Sequence, residues 1–201
     1  MTGTDHSGPE RSPSRLPGVG YGGLTRHADS RGSFRELWRA SAYPAKGLPA
    51  ELAGVAGGRF VQANLSTSSV GVLRGVHYHR RQLDRWIVAS GRAFVALVDV
   101  RPAVEGIGPA VVEIRELGAD QTVEIPAGVA HGFLALEPLE LIYLVTNEFD
   151  DSDELGFAWD DAAVGVPWPV PVPGTPDGRP ILSERDRTNP SLADLVAGLR
   201  K

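Results

Sequence analysis

The 201-residue chain contains no cysteine. Disulfide staples, thiolate metal sites and thiol nucleophiles are excluded, and an intracellular, cytoplasmic setting is the simplest expectation. Methionine occurs only at Met1 and lysine only at Lys46 and Lys201, so arginine carries nearly all the positive charge. A net charge of -5 argues against a nucleic-acid partner, which asks for a basic surplus, although local arginines still suit one small anion. Nowhere do eighteen apolar residues run together, and the polar start MTGTDHSGPERSPSRLPGV has no apolar leader core, so no membrane partner is expected. Internal repeats, a dinucleotide glycine fingerprint and a P-loop are also missing.

What is present reads as one domain. Residues 1–20 are rich in Ser, Pro, Gly and charge and are expected to form a flexible tail, with the folded domain spanning 21–201. "DSRGSFRELW" has a turn after Asp29, with Phe34 and Leu37 placed to face a core, and a short helix is expected near 42–54. From Arg59 the pattern changes to short β-type runs: RFVQANLS, VLRGVHYH, RWIVAS, RAFVALVDVR, AVVEIREL, QTVEIP, HGFLAL and LELIYLVTNEF. Without amphipathic helices between them, such runs imply an antiparallel sandwich or small barrel. Six prolines between 162 and 180 predict an extended surface segment. NPSLADLVAGLR predicts a C-terminal helix capped by Asn189, with Leu192, Leu195, Val196 and Leu199 on one face.

The stretch VLRGVHYHRRQLDRW, Val72 to Trp86, carries the densest chemistry. Strand alternation sends Arg74, Val76 and Tyr78 to one face and Gly75, His77 and His79 to the other. A third histidine, His131, follows the turn in IPAGVAHGF. The spacing Gly71, His77-Tyr78-His79, Asp84, Gly91 resembles the first motif of the cupins, with aspartate in place of glutamate, and Pro126, Gly128 and His131 resemble the second. That resemblance implies a mostly β, antiparallel jelly-roll barrel with short helices near the N-terminus and at the C-terminus. It also implies a metal set of His77, His79, Asp84 and His131, a ligand mixture suited to Fe(II), Mn, Ni or Zn.

A narrower family covers more of the chain. DSRGSFRE, VQANLSTSS, LRGVHY, IPAGVAHGFLAL, LIYLVTNEF, FAWDD and LSERDRTNPSLADL occur in order from about residue 25 to 195 and resemble the dTDP-4-dehydrorhamnose 3,5-epimerases, a metal-independent branch of the cupins. The resemblance implies an isomerase that inverts C3, C5 or both in a dTDP-linked 4-keto-6-deoxyhexose, without cofactor and as a homodimer with N-terminal strands exchanged or packed between barrels. His77 matches the family's base, Asp186 its carboxylate partner and Tyr143 the acid on the opposite face. Arg74 and His131 match residues around the sugar and its C4 oxygen. Arg31, Phe34, Gln62 and Asn64 match positions that meet the nucleotide and diphosphate. A base, an acid and enolate-oxygen donors are what proton transfer next to a ketone demands.

Several positions depart from that pattern. The family's lysine, which helps hold the enolate oxygen, falls on Asp84, where an ionised carboxylate cannot donate. An expected aspartate falls on Val95, an aromatic tyrosine on Phe149, a small polar residue on His79, and the asparagine that commonly ends the second cupin motif on Ala135. Arg81 and Arg85 are candidates to replace the lost cation, although alternation points Arg85 away from Asp84. Three readings therefore stand together: an epimerase, a metal-dependent enzyme on the same scaffold, and a sugar-nucleotide binding protein of weak activity.

Overall fold

The computed structural model describes residues 13–39, 60–172 and 174–200. In chain order its strands are β1 (Gly20–Gly23), β2 (Arg26–Asp29), β3 (Gly32–Arg35), β4 (Gln62–Ser68), β5 (Leu73–Tyr78) and β6 (Asp84–Ser90). They continue as β7 (Arg92–Asp99), β8 (Val111–Gly118), β9 (Gln121–Ile125), β10 (Val129–Ala135), β11 (Leu139–Val145) and β12 (Leu155–Gly156). Among the described residues three short helices accompany them: α1 (Arg101–Glu105), α2 (Glu184–Thr188) and α3 (Leu192–Leu199).

Ten strands form two five-stranded antiparallel sheets, in the orders β1-β9-β6-β11-β4 and β12-β5-β10-β7-β8. This is the antiparallel sandwich that the strand runs imply, in the jelly-roll form that the cupin resemblance implies. Alternation along the strands builds its core. Trp86, Val88, Val123, Leu139 and Leu141 from the first sheet meet Val95, Leu97, Val129 and Phe133 from the second. β7 and β10 are buried on both faces, because Phe94, Ala96, Val98, Ala130 and Leu134 point outward under a second apolar layer. Phe157, Trp168, Val172 and Leu195 from the C-terminal third supply that layer. Removing each such side chain from water contributes about 1.5–3 kcal/mol, which fixes the C-terminal segment against the barrel.

Four sequence expectations change. Residues 14–19, which the sequence assigns to the tail, belong to the folded domain, since Leu16 and Val19 are buried in the barrel core and Ser14 and the Arg15 amide donate to Glu113. Among the described residues Phe34 faces no core: β2 and β3 pair with each other and with no other described strand, and the Phe34 side chain stands 68% exposed. The C-terminal helix is capped by Ser191, whose hydroxyl accepts from the Asp194 amide, whereas Asn189 ends the preceding helix. The proline-rich segment is anchored rather than wholly superficial, through buried Trp168 and Val172. The helix expected near 42–54 and Lys46 lie outside the described residues.

The strand holding the histidines also departs from simple alternation. His131 pairs with His77 and Phe133 with Arg74, so two steps along β10 match three along β5. The extra residue inverts the parity of β5. Leu73, Val76 and Tyr78 therefore pack into the outer layer, and Arg74 turns to the same side as His77. Gly75 permits this: its φ is +124°, and a Cβ there would lie 2.7 Å from Gly132 Cα and 2.9 Å from His131 O.

Candidate active site

A cavity of about 320 Å³ opens between the two sheets at one end of the barrel. β4 contributes Gln62 and Asn64, β11 contributes Tyr143, and β5 contributes Arg74 and His77, so the side chains come from opposite sheets. Gln62 Nε2 donates to Asn64 Oδ1 at 3.0 Å, and the Phe149 amide donates to Gln62 Oε1 at 3.0 Å. Arg74 donates to Ser68 Oγ at 3.1 Å and to the Thr67 carbonyl at 3.3 Å, which aligns its guanidinium along the cavity mouth.

His77 and Asp186 are 109 residues apart in the chain and form a direct pair, Nε2 to Oδ1, at 2.7 Å. α2 presents the carboxylate. Its N-cap Ser183 accepts from the Asp186 amide at 3.1 Å and donates its hydroxyl to Asp186 Oδ2 at 2.8 Å. Burial pushes the Asp186 carboxyl up, but the His77 hydrogen bond and charge, the Ser183 hydroxyl and the Arg185 charge prevail and hold it below the ordinary carboxylate range. An ionised Asp186 keeps the proton on His77 Nε2 and leaves Nδ1 as the basic nitrogen.

Tyr143 sits on the opposite sheet, beside Asn64 and Trp86 in register. Burial raises its phenol pKa, with Asp84 adding to the rise and Arg74 opposing it. The group therefore stays protonated at neutral pH.

The deepest part of the cavity holds His79, Asp84, Trp86 and His131, all nearly inaccessible. Asp84 accepts from Gln82 Nε2 at 2.7 Å and from Trp86 Nε1 at 3.2 Å. His131 Nδ1 donates to the Val129 carbonyl at 3.2 Å, and Nε2 lies 3.7 Å from Asp84 Oδ2. Burial drives the His131 imidazole pKa down to about 4; His79 and His77 act in the same direction, and Asp84 and the Val129 carbonyl oppose it. His131 is thus neutral, with its N–H committed to backbone. In the unfolded chain this imidazole takes up a proton near pH 6.5, which the folded chain refuses until about pH 4, so its contribution is intact above 6.5 and shrinks as pH falls between those values. Between pH 7 and pH 5 this linkage removes about 2 kcal/mol of stability. Urea unfolding in EDTA at the two pH values checks it, because His131→Gln should lose that part of the pH slope.

The other sequence candidates divide. Arg31 and Phe34 lie on the β2–β3 hairpin and do not line this cavity; Arg31 pairs with Asp29 at 2.6 Å. Val95 is in the core, and Phe149 is at the cavity rim. Neither Arg81 nor Arg85 takes up the lost cation position: Arg81 is bound to Asp150, and Arg85 forms a buried pair with Glu124 at 2.6 Å. Four residues that sequence reading passed over matter here. Gln82 bridges toward His79 and Asp84, Glu154 and Arg185 form an ion pair on the wall at 2.8 Å, and Ser183 orients Asp186. Only Ser183 left a signal, the S-x-x-D capping pattern within LSERD.

A family profile described as dTDP-4-dehydrorhamnose 3,5-epimerase matches residues 13–194. A dTDP-4-dehydrorhamnose 3,5-epimerase of Pseudomonas aeruginosa is 35% identical over 170 residues, covering 83% of this chain and 86% of the relative. Among solved structures, a 4-keto-6-deoxy sugar epimerase from the novobiocin biosynthetic gene cluster of Streptomyces spheroides superposes with a TM-score of 0.76 at 29% identity, covering 96% of this chain and 92% of that one. A dTDP-6-deoxy-D-glucose-3,5-epimerase of Legionella pneumophila, in complex with dTDP-4-keto-L-rhamnose, gives a TM-score of 0.75 at 28% identity over 94% of this chain and 96% of that one.

Proposed function

Because this chain belongs to the dTDP-4-dehydrorhamnose 3,5-epimerase family, we propose that it is an isomerase inverting C3, C5 or both in a dTDP-linked 4-keto-6-deoxyhexose. The observation that carries the reading is the 2.7 Å pair between His77 and Asp186, placed across the cavity's two sheets from Tyr143. His77 Nδ1 removes the proton next to the ketone, and the carbanion's charge moves onto the C4 oxygen as an enolate. Asp186 balances the imidazolium so formed. Tyr143 then returns a proton from the opposite face; its phenolate recovers one from solvent, and the His77 imidazolium gives one up to solvent. Arg74, at the cavity mouth, supplies positive charge toward the sugar, and Gln62 and Asn64 supply polar contacts to the nucleotide end.

The chain acts as a cytoplasmic homodimer in this reading. One protomer's β2–β3 hairpin, with Arg31 and Phe34 exposed, supplies those two residues to its partner's nucleotide site. Arginine's planar fork suits the diphosphate oxygens.

The decisive measurement is NMR of dTDP-4-keto-6-deoxyglucose incubated with the protein in D2O. Deuterium is expected at C3 or C5 of the sugar; a sugar that binds but never exchanges would instead make the chain a binding protein. Tyr143→Phe separates the two half-reactions. It should keep exchange while slowing inversion by about 100-fold or more, since general-acid groups contribute about 10²–10⁴ in rate.

A further inference from the structure

We propose that His79, Asp84 and His131 form a binding site for one divalent first-row transition-metal ion at the base of the cavity. One ligand atom from each lies within 4.8 Å of the others, and all three side chains are buried. The His131 Nε2 to Asp84 Oδ2 separation is 3.7 Å, and the His79 and His131 rings are 5.4 Å apart between centroids. An ion with bonds of about 2.1 Å spans ligand atoms up to about 4.2 Å apart, so closure needs a contraction of roughly half an ångström.

The hydrogen bonds around the three residues are those of prepared ligands. His79 Nδ1 donates to the Asp153 carbonyl at 2.9 Å, and His131 Nδ1 donates to the Val129 carbonyl at 3.2 Å. Each backbone contact fixes the tautomer and turns an unprotonated Nε2 inward, the outer-shell arrangement that orients metal-bound imidazoles. The Trp86 indole N–H holds Asp84 Oδ2 at 3.2 Å, so the carboxylate is oriented as well. Three acceptors thus converge in a space that water barely reaches. Beside the Trp86 indole, the Gln82 amide offsets them among the described residues, donating to Asp84 Oδ1 at 2.7 Å and lying 3.3 Å from His79 Nε2. Two imidazoles and one carboxylate suit Fe(II), Mn, Co, Ni or Zn, and the cysteine-free chain offers no softer ligand.

His77 stands outside this set. Its Nε2 is engaged by Asp186 at 2.7 Å, so the four-residue cluster suggested by spacing divides into a base pair and a three-ligand floor. A divalent ion there would place positive charge beside the sugar pocket, where the side chains alone place a carboxylate.

Metal binding can be read without substrate, so its outcome is independent of whether the chain epimerises a sugar. The full-length protein is stripped with EDTA, its fold checked by circular dichroism, and equilibrated separately with Zn²⁺ and Co²⁺. One equivalent per chain by mass spectrometry of metals is expected, with Co²⁺ giving visible ligand-field bands. Asp84→Asn, which keeps the side-chain size and an acceptor for Trp86, and His79→Gln should each weaken binding at least about 10-fold, the scale that outer-shell changes already reach. His77→Asn should leave stoichiometry and spectrum unchanged. Substoichiometric metal in the wild-type protein, or unaltered binding in both ligand variants, would overturn the site and leave Gln82 as the group that neutralises it. Loss of the ion in His77→Asn would overturn the three-ligand assignment.

Discussion

Asp186→Asn is expected to lower kcat by about 10³–10⁴-fold while leaving KM for the dTDP-sugar within a few-fold. An asparagine keeps the size of the side chain and still accepts from Ser183, so the short helix α2 retains its cap. What changes is the proton. The carboxylate accepts from His77 Nε2–H and leaves Nδ1 basic, whereas an amide can donate its N–H to Nε2 and stabilise the opposite tautomer, in which Nδ1 is already protonated. It also ceases to stabilise the imidazolium, and loss of the equivalent carboxylate in a Ser-His-Asp triad costs about 10⁴. His77→Asn removes the base itself and should abolish solvent-deuterium exchange to the background level. The two variants together distinguish a base from a structural histidine: exchange surviving in His77→Asn at the wild-type rate would remove His77 from the chemistry, and a merely structural Asp186 would shift unfolding without shifting kcat.

The second large effect concerns the backbone that aims those groups. Gly75→Ala should destabilise the protein by about 3 kcal/mol or more, because a positive φ costs a non-glycine residue about 1–3 kcal/mol and the new Cβ meets main-chain atoms that cannot move aside. Those atoms are Gly132 Cα at 2.7 Å and His131 O at 2.9 Å, on the strand that carries the floor histidine. For a chain of this size such a loss corresponds to a fall in Tm of about 6–12 °C. Gly32→Ala is the matched comparison. Gly32 also has positive φ, +136°, but nothing lies within 4 Å of its would-be Cβ. Scanning calorimetry of the two variants separates conformational strain from crowding, and equal losses would remove the close approach of β5 to β10 as the reason for Gly75.

The chemistry beside these groups is set by charge. Asp84 occupies the position where the family resemblance implies lysine, and neither nearby arginine compensates: Arg81 turns to Asp150 and Arg85 to Glu124. Strand alternation anticipated the direction of Arg85. The resulting floor is acidic and imidazole-rich, while Arg74 stays at the cavity mouth.

Much of this protein was legible from local pattern. Short apolar runs with period-two alternation and no intervening helices specify an antiparallel β architecture, because burying one face of a strand is a local property of its own residues. The ordered motifs from DSRGSFRE to LSERD carry the family resemblance, and they single out His77, Asp186 and Tyr143 as candidates. Four things depended on tertiary structure. Phe34 looks like a core residue by type, but its hairpin pairs with neither main sheet, so among the described residues it meets no core. Arg74 looks as though it faces away from His77, but an extra residue in β5 reverses the parity, and a bulge is defined only by the partner strand. Gln82, Glu154 and Arg185 enter the site from loops and from distant segments, without a periodicity to mark them. The histidine cluster divided for the same reason. Spacing along one strand places His77 and His79 together, but the ring of His77 is claimed by a carboxylate 109 residues away, while His79 shares the floor with Asp84 and His131. Sequence determined which groups were available, and only the pairing of distant strands and the folding of the C-terminal segment across the sheet decided which partner each one took.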